Sequence, residues 1–312
     1  METATTFTNV RKRFGPVNAL DDVSFNVGRG EMFGLIGPDG AGKTTAIRAI
    51  CGLLHIDAGS IRVLGKDPVA DHRAITGSVG YLSQRFSLYG DLSIDENIAF
   101  FAEIHGVSDY RARRDRLLDM TQLTPFRGRL ADQLSGGMKQ KLALACTLVH
   151  EPQVILLDEP TTGVDPVSRR EFWKLLSQFL AAGITILMST PYLDEAERCG
   201  RVVLLHEGRV LALDAPGRLR ANLAGTLLEV RAASPRQALQ SLRDIGGMTN
   251  AQVFGDRLHV WLDRTDTAAA ETALLDAARV AHVEIEDVRA IIPSLEDVFI
   301  EKLSSSRETA ST

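Results

Sequence analysis

The chain has 312 residues, of which 45% are hydrophobic and 24% are charged, and its formal net charge is −5 at pH 7. These values are typical of a folded protein with a well-buried core and room for two domains, and they exclude a disordered or fibrous chain. The negative net charge gives no general attraction to nucleic acid or to anionic lipid, so neither is an expected partner.

The compartment is predicted from the N-terminus, the apolar runs and the cysteines. Met1 to Asn9 lacks the basic-then-apolar pattern of a signal peptide. The longest apolar runs, such as Val202 to Leu205, are only as long as a strand, whereas a membrane-spanning helix needs about 20 apolar residues. Cys51, Cys146 and Cys199 are widely spaced and form no CxxC pair, which predicts reduced core residues. We therefore expect a cytoplasmic chain with no span of its own.

Short apolar segments alternate with helical patterns from about Val23 to Ala212, which predicts an α/β domain with a mostly parallel sheet. A helix is predicted from about Lys43 to Leu53. Between Ser93 and Val149 the strand patterns are absent and helical periodicity dominates, so we expect a helical insertion there. The predicted strands are Met32 to Gly37, Val154 to Asp158, Ile184 to Ser189 and Val202 to Leu205.

Four arginines lie between Arg111 and Arg116, a density that could indicate a nucleic-acid patch. Tyr110, Leu117, Leu118 and Met120 recur at helical spacing in the same stretch. This pattern favours a helix whose arginines lie on a solvated face, and it does not favour nucleic-acid binding.

A second unit is predicted after Asn222, with the element order β-α-β-β-α-β-α of a small α+β module. Its predicted strands are Thr226 to Arg231, Asn250 to Val253, Leu258 to Leu262 and Glu284 to Ile291. Its predicted helices are Pro235 to Ile245, Thr267 to Arg279, and a last one that begins near Ser294. The polar segment from Ser304 to Thr312 is predicted to be disordered.

A glycine-rich turn between the first predicted strand and helix fits the phosphate-binding pattern G-x-x-x-x-G-K-[ST]. Glycines let the backbone curl until its amides reach phosphate oxygens, and the following helix adds its N-terminal dipole. Lys43 is expected to reach the β- and γ-phosphates, and the Thr44 hydroxyl to hold Mg²⁺. The negative charge of Asp39 should point outward. The residues predicted to contact ATP here are Gly37, Asp39, Gly40, Ala41, Gly42, Lys43, Thr44 and Thr45.

Later segments resemble the ATP-binding-cassette (ABC) ATPases over about residues 3 to 220. Leu134-Ser-Gly-Gly-Met138 resembles the ABC signature, and Leu156-Leu-Asp-Glu159 resembles the Walker B strand with its adjacent catalytic glutamate. Taken singly, the Ser-Gly-Gly segment also fits a helix cap, and a lone glutamine or phenylalanine such as Gln84 or Phe14 also fits a surface or a core position. Their order beside the glycine-rich turn supports the resemblance to the family. The further residues that match family positions are Gln84 of the Q-loop, Asp165 of the D-loop, and Phe14 where an aromatic ring stacks on adenine.

The resemblance implies a P-loop ABC core with an N-terminal antiparallel β part and a helical insertion, plus the small C-terminal α+β module. The expected domains are an ABC ATPase domain at 1–222 with its helical part at about 88–150, an accessory or regulatory domain at 223–303, and the tail at 304–312.

The resemblance also implies a site that two subunits share. Thr44, Asp158 and Gln84 would hold Mg²⁺, and Glu159 would act as the general base on water. Gln84 and Lys43 complete the catalytic set. Ser135, Gly136 and Gly137 would close on the γ-phosphate bound to the opposite subunit, so dimerisation belongs to the mechanism.

One position departs from the family pattern. Most ABC ATPases carry a histidine after the strand that follows the D-loop, and this chain has Pro191 there. Proline has neither a side-chain donor nor a backbone N–H, and neither His150 nor His206 lies near that place in sequence. A slow homodimer and a heterodimer with a complete second ATPase subunit both remain open.

Further segments resemble drug-resistance exporter ATPases of the daunorubicin-resistance type. They are Leu134 to Gln140, Tyr89 to Asn97 and Ser294-Leu-Glu-Asp-Val-Phe299. Such subunits act with separate transmembrane permeases, so we expect a peripheral protein on the cytoplasmic face of the inner membrane. An importer ATPase and a regulatory subunit without useful turnover are the alternatives.

Overall fold

A computed structural model of the chain describes residues 2–84, 87–242 and 247–310. The chain divides into two compact units, Met1–Ala215 and Pro216–Thr312. The sequence placed this boundary after Asn222, and the difference is the helix Pro216–Ala221, which belongs to the second unit. Pro216 supplies a fixed φ at the first helical position, where no backbone donor is needed.

The first unit contains strands and helices in alternation. Its strands are β1 (Thr3–Phe14), β2 (Val17–Gly28), β3 (Met32–Ile36), β4 (Ala58–Val63), β5 (Val79–Leu82), β6 (Val154–Asp158), β7 (Thr185–Thr190), β8 (Arg201–His206) and β9 (Arg209–Asp214). Its helices are α1 (Lys43–Ile50), α2 (His72–Thr76), α3 (Ile94–Ile104), α4 (Arg111–Thr121), α5 (Gly136–Leu148), α6 (Pro166–Ala181) and α7 (Leu193–Ala196).

The large sheet of this unit has the strand order β5-β6-β7-β3-β8-β9 and is parallel except for the β8–β9 hairpin. Every residue of β3, β6 and β7 is buried, which explains their mainly apolar sequences. The predicted α/β core is therefore confirmed. Parallel strands end at one edge of a sheet, and that edge carries the candidate site.

A three-stranded antiparallel sheet, β2-β1-β4, packs on the same core. Phe7 stacks on Phe25 with ring centroids 4.4 Å apart, and Phe25 stacks on Phe33 of β3 at 5.4 Å. These rings join the small sheet to the large one. The N-terminal antiparallel part expected from the family resemblance is present.

The insertion consists of α3, α4 and α5, and the described residues between 93 and 149 contain no strand. Ser93 and Glu96 form a capping box at the start of α3, with Glu96 accepting from the Ser93 amide at 2.8 Å. In α4, Leu117 and Leu118 are buried while the arginines lie on the outer, partly solvated side, as predicted. The helical insertion is confirmed.

The second unit is a four-stranded antiparallel sheet with helices. Its elements are α8 (Pro216–Ala221), β10 (Thr226–Ala232), α9 (Pro235–Leu242), β11 (Met248–Phe254), β12 (Arg257–Leu262), α10 (Thr267–Val280), β13 (Ile285–Ala290) and α11 (Leu295–Ala310). The strand order is β11-β12-β10-β13. From β10 onward the element order matches the predicted α+β module.

Two helices of this unit have predicted ends that differ from, or lie beyond, what the structure describes. The predicted end of the helix that begins at Pro235 was Ile245, which lies outside the described residues. The prediction of a disordered segment from Ser304 is wrong as far as Ala310, because α11 continues to that residue. Its start is stabilised by Ser294, whose hydroxyl donates to Asp297 Oδ2 at 2.6 Å. Residues 311 and 312 lie outside the described part.

The apolarity of the helices and the burial of the cysteines agree with the predictions made for them from the sequence. Within residues 2–84, 87–242 and 247–310, none of the helices has the length and apolarity that a bilayer span requires. Cys51, Cys146 and Cys199 are free and buried, as expected from the sequence. Burial raises the pKa of the Cys51 and Cys199 thiols to about 12, so neither is a reactive thiolate.

A pair of stacked histidines in the first unit should make its stability sensitive to acid. The rings of His105 and His150 are parallel with centroids 3.8 Å apart. Burial, the neighbouring His105 and Arg113 lower the pKa of His150 to about 4, although Nε2 lies 3.3 Å from the Val79 carbonyl oxygen. The folded-state pKa lies below the unfolded one, so stability is full above about pH 6.5 and is lost as the pH falls toward 4.

We therefore expect His150→Asn to lose less stability than the wild type when the pH is lowered. Between pH 7.5 and pH 5 the difference should be about 1–2 kcal/mol, allowing for the partly solvated ring. Urea unfolding followed by circular dichroism at several pH values measures it. His55→Asn, at an exposed histidine of the same unit, is the control. Parallel pH curves for His150→Asn and wild type would contradict this expectation.

Candidate functional site

The glycine-rich turn lies between the carboxyl end of β3 and the start of α1. Two of its glycines are required by their surroundings. A Cβ on Gly37 would lie 2.2 Å from the Leu205 carbonyl oxygen, and one on Gly42 would lie 2.3 Å from that of Ala19. Gly42 is also the N-cap of α1 with φ +102°, a conformation that side chains disfavour. The turn thus brings its backbone to the positive end of α1, which suits an anion.

Lys43 is the buried cation of the turn, with only 4% of its surface exposed. Its Nζ donates to the carbonyl oxygens of Gly37 at 2.8 Å and Pro38 at 3.0 Å, and lies 3.2 Å from Glu159 Oε1. A buried ammonium is favourable only when paired in this way. Thr45 is half-buried and Asp39 is exposed on the outside of the turn.

The carboxyl end of β6 brings two acids to this turn. Asp158 Oδ1 accepts from the Thr44 hydroxyl at 3.1 Å and from the Ser189 hydroxyl at 2.6 Å. Glu159 follows in a left-handed conformation, φ +48°, and its Oε2 accepts from Gln84 Nε2 at 3.1 Å. Lys43, Thr44, Gln84, Asp158 and Glu159 therefore form one connected cluster.

Ser189 is a site residue that sequence reasoning missed. Besides donating to Asp158, its hydroxyl accepts from the Glu159 amide at 3.0 Å, and its carbonyl accepts from the same amide at 3.1 Å. Ser189 therefore fixes both acids relative to β7. The available signal was a serine within an apolar strand, since a fully buried hydroxyl needs partners.

Ser135 and Asp165 lie in a second group, at two helix starts. The Ser135 hydroxyl accepts from the Met138 amide at 3.3 Å, and Asp165 accepts from the amides of Val167 and Ser168 at 3.0 Å each. A Cβ on Gly137 would lie 2.2 Å from the Ser168 hydroxyl oxygen, so the two helix starts touch. Ser135 and Gly136 are exposed. In the described part of the chain, no hydrogen bond joins this group to the glycine-rich turn.

Phe14 lies at the end of β1 and is 49% exposed. Lys12 Nζ lies 5.3 Å from its ring centre. An exposed ring beside a cation can stack on a planar group, but the structure records no bond between Phe14 and the turn.

Pro191 directly follows β7, the strand whose Ser189 bonds to both acids. The preceding residue, Thr190, donates to the buried Glu195 at 2.8 Å, and Thr161 donates to the same carboxylate at 2.5 Å. Arg169 Nε lies 3.7 Å from it. This network holds the loop after Glu159 against the end of β7, and sequence reasoning missed it because Glu195 lies in an ordinary acidic run.

A buried lysine and paired acids at the head of a parallel sheet define a P-loop nucleotide-binding protein. Residues 20–162 match the family model described as ABC transporter, and residues 216–303 match the model for the C-terminal domain of DrrA1-3-like ATP-binding proteins. The chain belongs to the family of ABC transporter ATP-binding proteins.

Curated relatives extend this match beyond the core. The chain is 36% identical over 311 residues to daunorubicin resistance ATP-binding protein DrrA3 of Streptomyces coeruleorubidus, covering 98% of each chain. It is 39% identical over 307 residues to the probable multidrug ABC transporter ATP-binding protein YbhF of Escherichia coli, covering 96% of this chain. The chain spans about half the length, 52%, of that relative.

Solved structures match about 70% of the chain. A structure titled as the ATP binding subunit of an ABC transporter is 32% identical, with a TM-score of 0.64, over 70% of this chain and 92% of that one. A dimeric ATP-binding cassette in a post-hydrolysis state, bound to ADP and phosphate, is 26% identical, with a TM-score of 0.61, over 68% and 98%.

Proposed function

We propose that this chain binds and hydrolyses ATP to drive export through a separate transmembrane permease. The cluster of Lys43, Thr44, Gln84, Asp158 and Glu159 carries the proposal, because it combines a phosphate-binding loop with a carboxylate placed for water activation.

The same cluster fits Mg²⁺. Thr44 and Asp158 offer oxygen atoms that already lie 3.1 Å apart, and Gln84 offers a carboxamide oxygen, all suited to a hard cation. The described residues contain no group of three or more His, Cys, Asp or Glu that could hold a metal alone. Mg²⁺ usually takes one or two protein ligands plus phosphates and water. When bound, Mg²⁺ would neutralise charge on the phosphates.

Each residue of this chain then has a defined task. Lys43 and the backbone of the turn bind the phosphates, which are anions. Glu159 takes the proton of the attacking water, and Gln84 orients both the glutamate and the water. Ser189 holds the Glu159 amide, so the backbone that carries the carboxylate is fixed against β7.

The second group supports a shared site. Ser135 and Gly136 are exposed at the start of α5 and do not bond to the turn of their own chain. An exposed helix start with a hydroxyl suits the γ-phosphate held by another subunit. We infer that two subunits meet across ATP, with Asp165 beside the signature of its own chain.

Pro191 favours a second candidate, a subunit with weak turnover that works beside a complete ATPase subunit. Removing one preorganised donor to developing charge typically costs about 10²–10³-fold in rate. We therefore expect Pro191→His to raise the ATPase rate of the purified protein by about tenfold or more. Phosphate release at saturating ATP measures this.

Pro191→Ala is the matched control, since it removes the ring without adding a side-chain donor. It should leave the rate near that of the wild type. If the histidine variant shows no gain while the wild type hydrolyses ATP steadily, the missing donor does not limit this site. ATP binding without phosphate release in the wild type would favour the regulatory subunit.

We propose that transport runs outward because of the names of the relatives and the match of the C-terminal module. The names of the relatives include multidrug, daunorubicin resistance and Nod factor export. We propose a peripheral position on the cytoplasmic face of the inner membrane, against a permease. Drug efflux from cells that express the chain with its permease, compared with the Lys43→Ala variant, tests this. Uptake of the drug in place of efflux would favour an importer.

A further inference from the structure

A cavity of about 510 Å³ lies at the opposite edge of the large sheet from the nucleotide site. Its floor is formed by residues just before β6 and β7, such as Pro152 and Ile184. Its other wall is the insertion, through Leu117 of α4 and Leu148 of α5. The volume lies within the range of about 300–1,000 Å³ that small organic ligands occupy in proteins.

The interior of this cavity is apolar. Leu117, Leu148 and Phe179 line it, and each is at most 6% exposed. Met120 adds a flexible, polarizable side chain that adapts to irregular shapes. Such a lining binds the hydrocarbon or aromatic part of a ligand.

The rim carries an excess of positive charge. Arg113 is compensated, since its Nε lies 2.9 Å from Glu151 Oε1 and its Nη1 donates to the Val149 carbonyl at 2.7 Å. Among the described residues, the Arg29 guanidinium contacts the largely exposed Glu2 at 3.3 Å and Gln153 Oε1 at 3.4 Å. The Arg116 guanidinium makes no hydrogen bond or ion pair with the described residues.

Two of the residues that line the cavity have a left-handed backbone conformation, which is rare for residues other than glycine. Leu64 has φ +51° and Glu151 has φ +53°, although neither is a glycine. Side chains rarely adopt this region, and such positions persist where surrounding structure fixes them, often at ligand sites. These two strained residues at the cavity indicate that the surrounding fold fixes the shape of the cavity.

We propose that this cavity binds an amphipathic organic anion, whose apolar body fills the interior and whose acidic group pairs with Arg116 and Arg29. Guanidinium groups suit carboxylate, sulfonate and phosphate oxygens through paired hydrogen bonds. The site is separate from the ATP site. Because α5 contributes Leu148 here and Ser135 at its other end, a ligand would contact the helix that carries the signature.

Anilinonaphthalene sulfonate is a suitable probe, with its neutral analogue N-phenyl-1-naphthylamine for comparison. Fluorescence titrations of the folded protein should be made with saturating ADP, so that the probe cannot occupy the nucleotide site. We expect one sulfonate per chain, bound at least tenfold more tightly than the neutral analogue. Arg116→Ala should weaken sulfonate binding about tenfold and leave binding of the neutral analogue unchanged.

Arg111→Ala is the matched control, because Arg111 is exposed on the same helix but does not line the cavity. Met120→Glu, which places a carboxylate in the cavity, should abolish sulfonate binding while circular dichroism shows a folded chain. Equal loss with Arg111→Ala, no loss with Arg116→Ala, or equal affinity for the neutral analogue would overturn the proposal.

Discussion

Replacing Lys43 with alanine is expected to weaken ATP binding by about 10–100-fold and to lower the hydrolysis rate by a further 10²–10³-fold. A charge-assisted contact to phosphate is typically worth about 1.5–3 kcal/mol, which sets the loss of affinity. Loss of positive charge at the reacting phosphate sets the loss of rate. The variant also leaves Glu159 without the cation that lies 3.2 Å away. Titration with a fluorescent ATP analogue and phosphate release measure the two effects.

Lys174→Ala provides the control, since Lys174 is an exposed lysine on α6. Its affinity and rate should match those of the wild type. If Lys43→Ala binds and hydrolyses ATP normally, the glycine-rich turn is not the nucleotide site, and the proposed shared site is wrong with it.

Parts of the site that follow from local spacing could be predicted from the sequence. The glycine-rich turn could be recognised because its motif residues lie in one short run of sequence. The carbonyl oxygens that exclude a Cβ at Gly37 and Gly42 belong to residues distant in sequence and could not be predicted. Asp158 and Glu159 were identified through their resemblance to the Walker B strand and its adjacent glutamate, and the structure places them at the end of a buried strand. In both cases the residues that form the recognisable pattern lie within a few positions of each other.

Ser189 and Glu195 could not be predicted because their partners are distant in sequence. Ser189 meets Asp158 only after β6 and β7 pair, and Glu195 meets Thr161 only after the loop folds back. Glu195 lies in an ordinary acidic run, and the signal at Ser189, a serine within an apolar strand, does not identify its partners. Positions that depend on the tertiary fold in this way cannot be given a role from a single sequence.

The bounds and register of the strands in the N-terminal sheet also could not be predicted from the sequence. β1 and β2 pair with several register shifts, and Asn9 and Asp22 have positive φ at these irregular places. A bulge breaks the simple alternation of buried and exposed residues that identifies a strand. The end of α1 shows the opposite case, because Gly52 at φ +68° terminates the helix close to its predicted end at Leu53.

Replacing Glu159 with glutamine should separate ATP binding from hydrolysis. The amide keeps the size of the side chain but cannot take a proton, so the rate should fall by about 10²–10⁴-fold. ATP affinity should stay within a few-fold of wild type, because Lys43 and the turn remain. Unhydrolysed ATP should then hold two subunits together, so the variant should elute as a dimer with ATP and Mg²⁺ and as a monomer with ADP.

Size-exclusion chromatography with multi-angle light scattering and a phosphate-release assay measure both consequences. Glu284→Gln, at an exposed position of the second unit, makes the same chemical change away from the cluster and should alter neither. Retained hydrolysis in Glu159→Gln would remove the general-base role. A monomer that binds ATP but never pairs would remove the shared site, because Ser135 would then have no nucleotide to close on within its own chain.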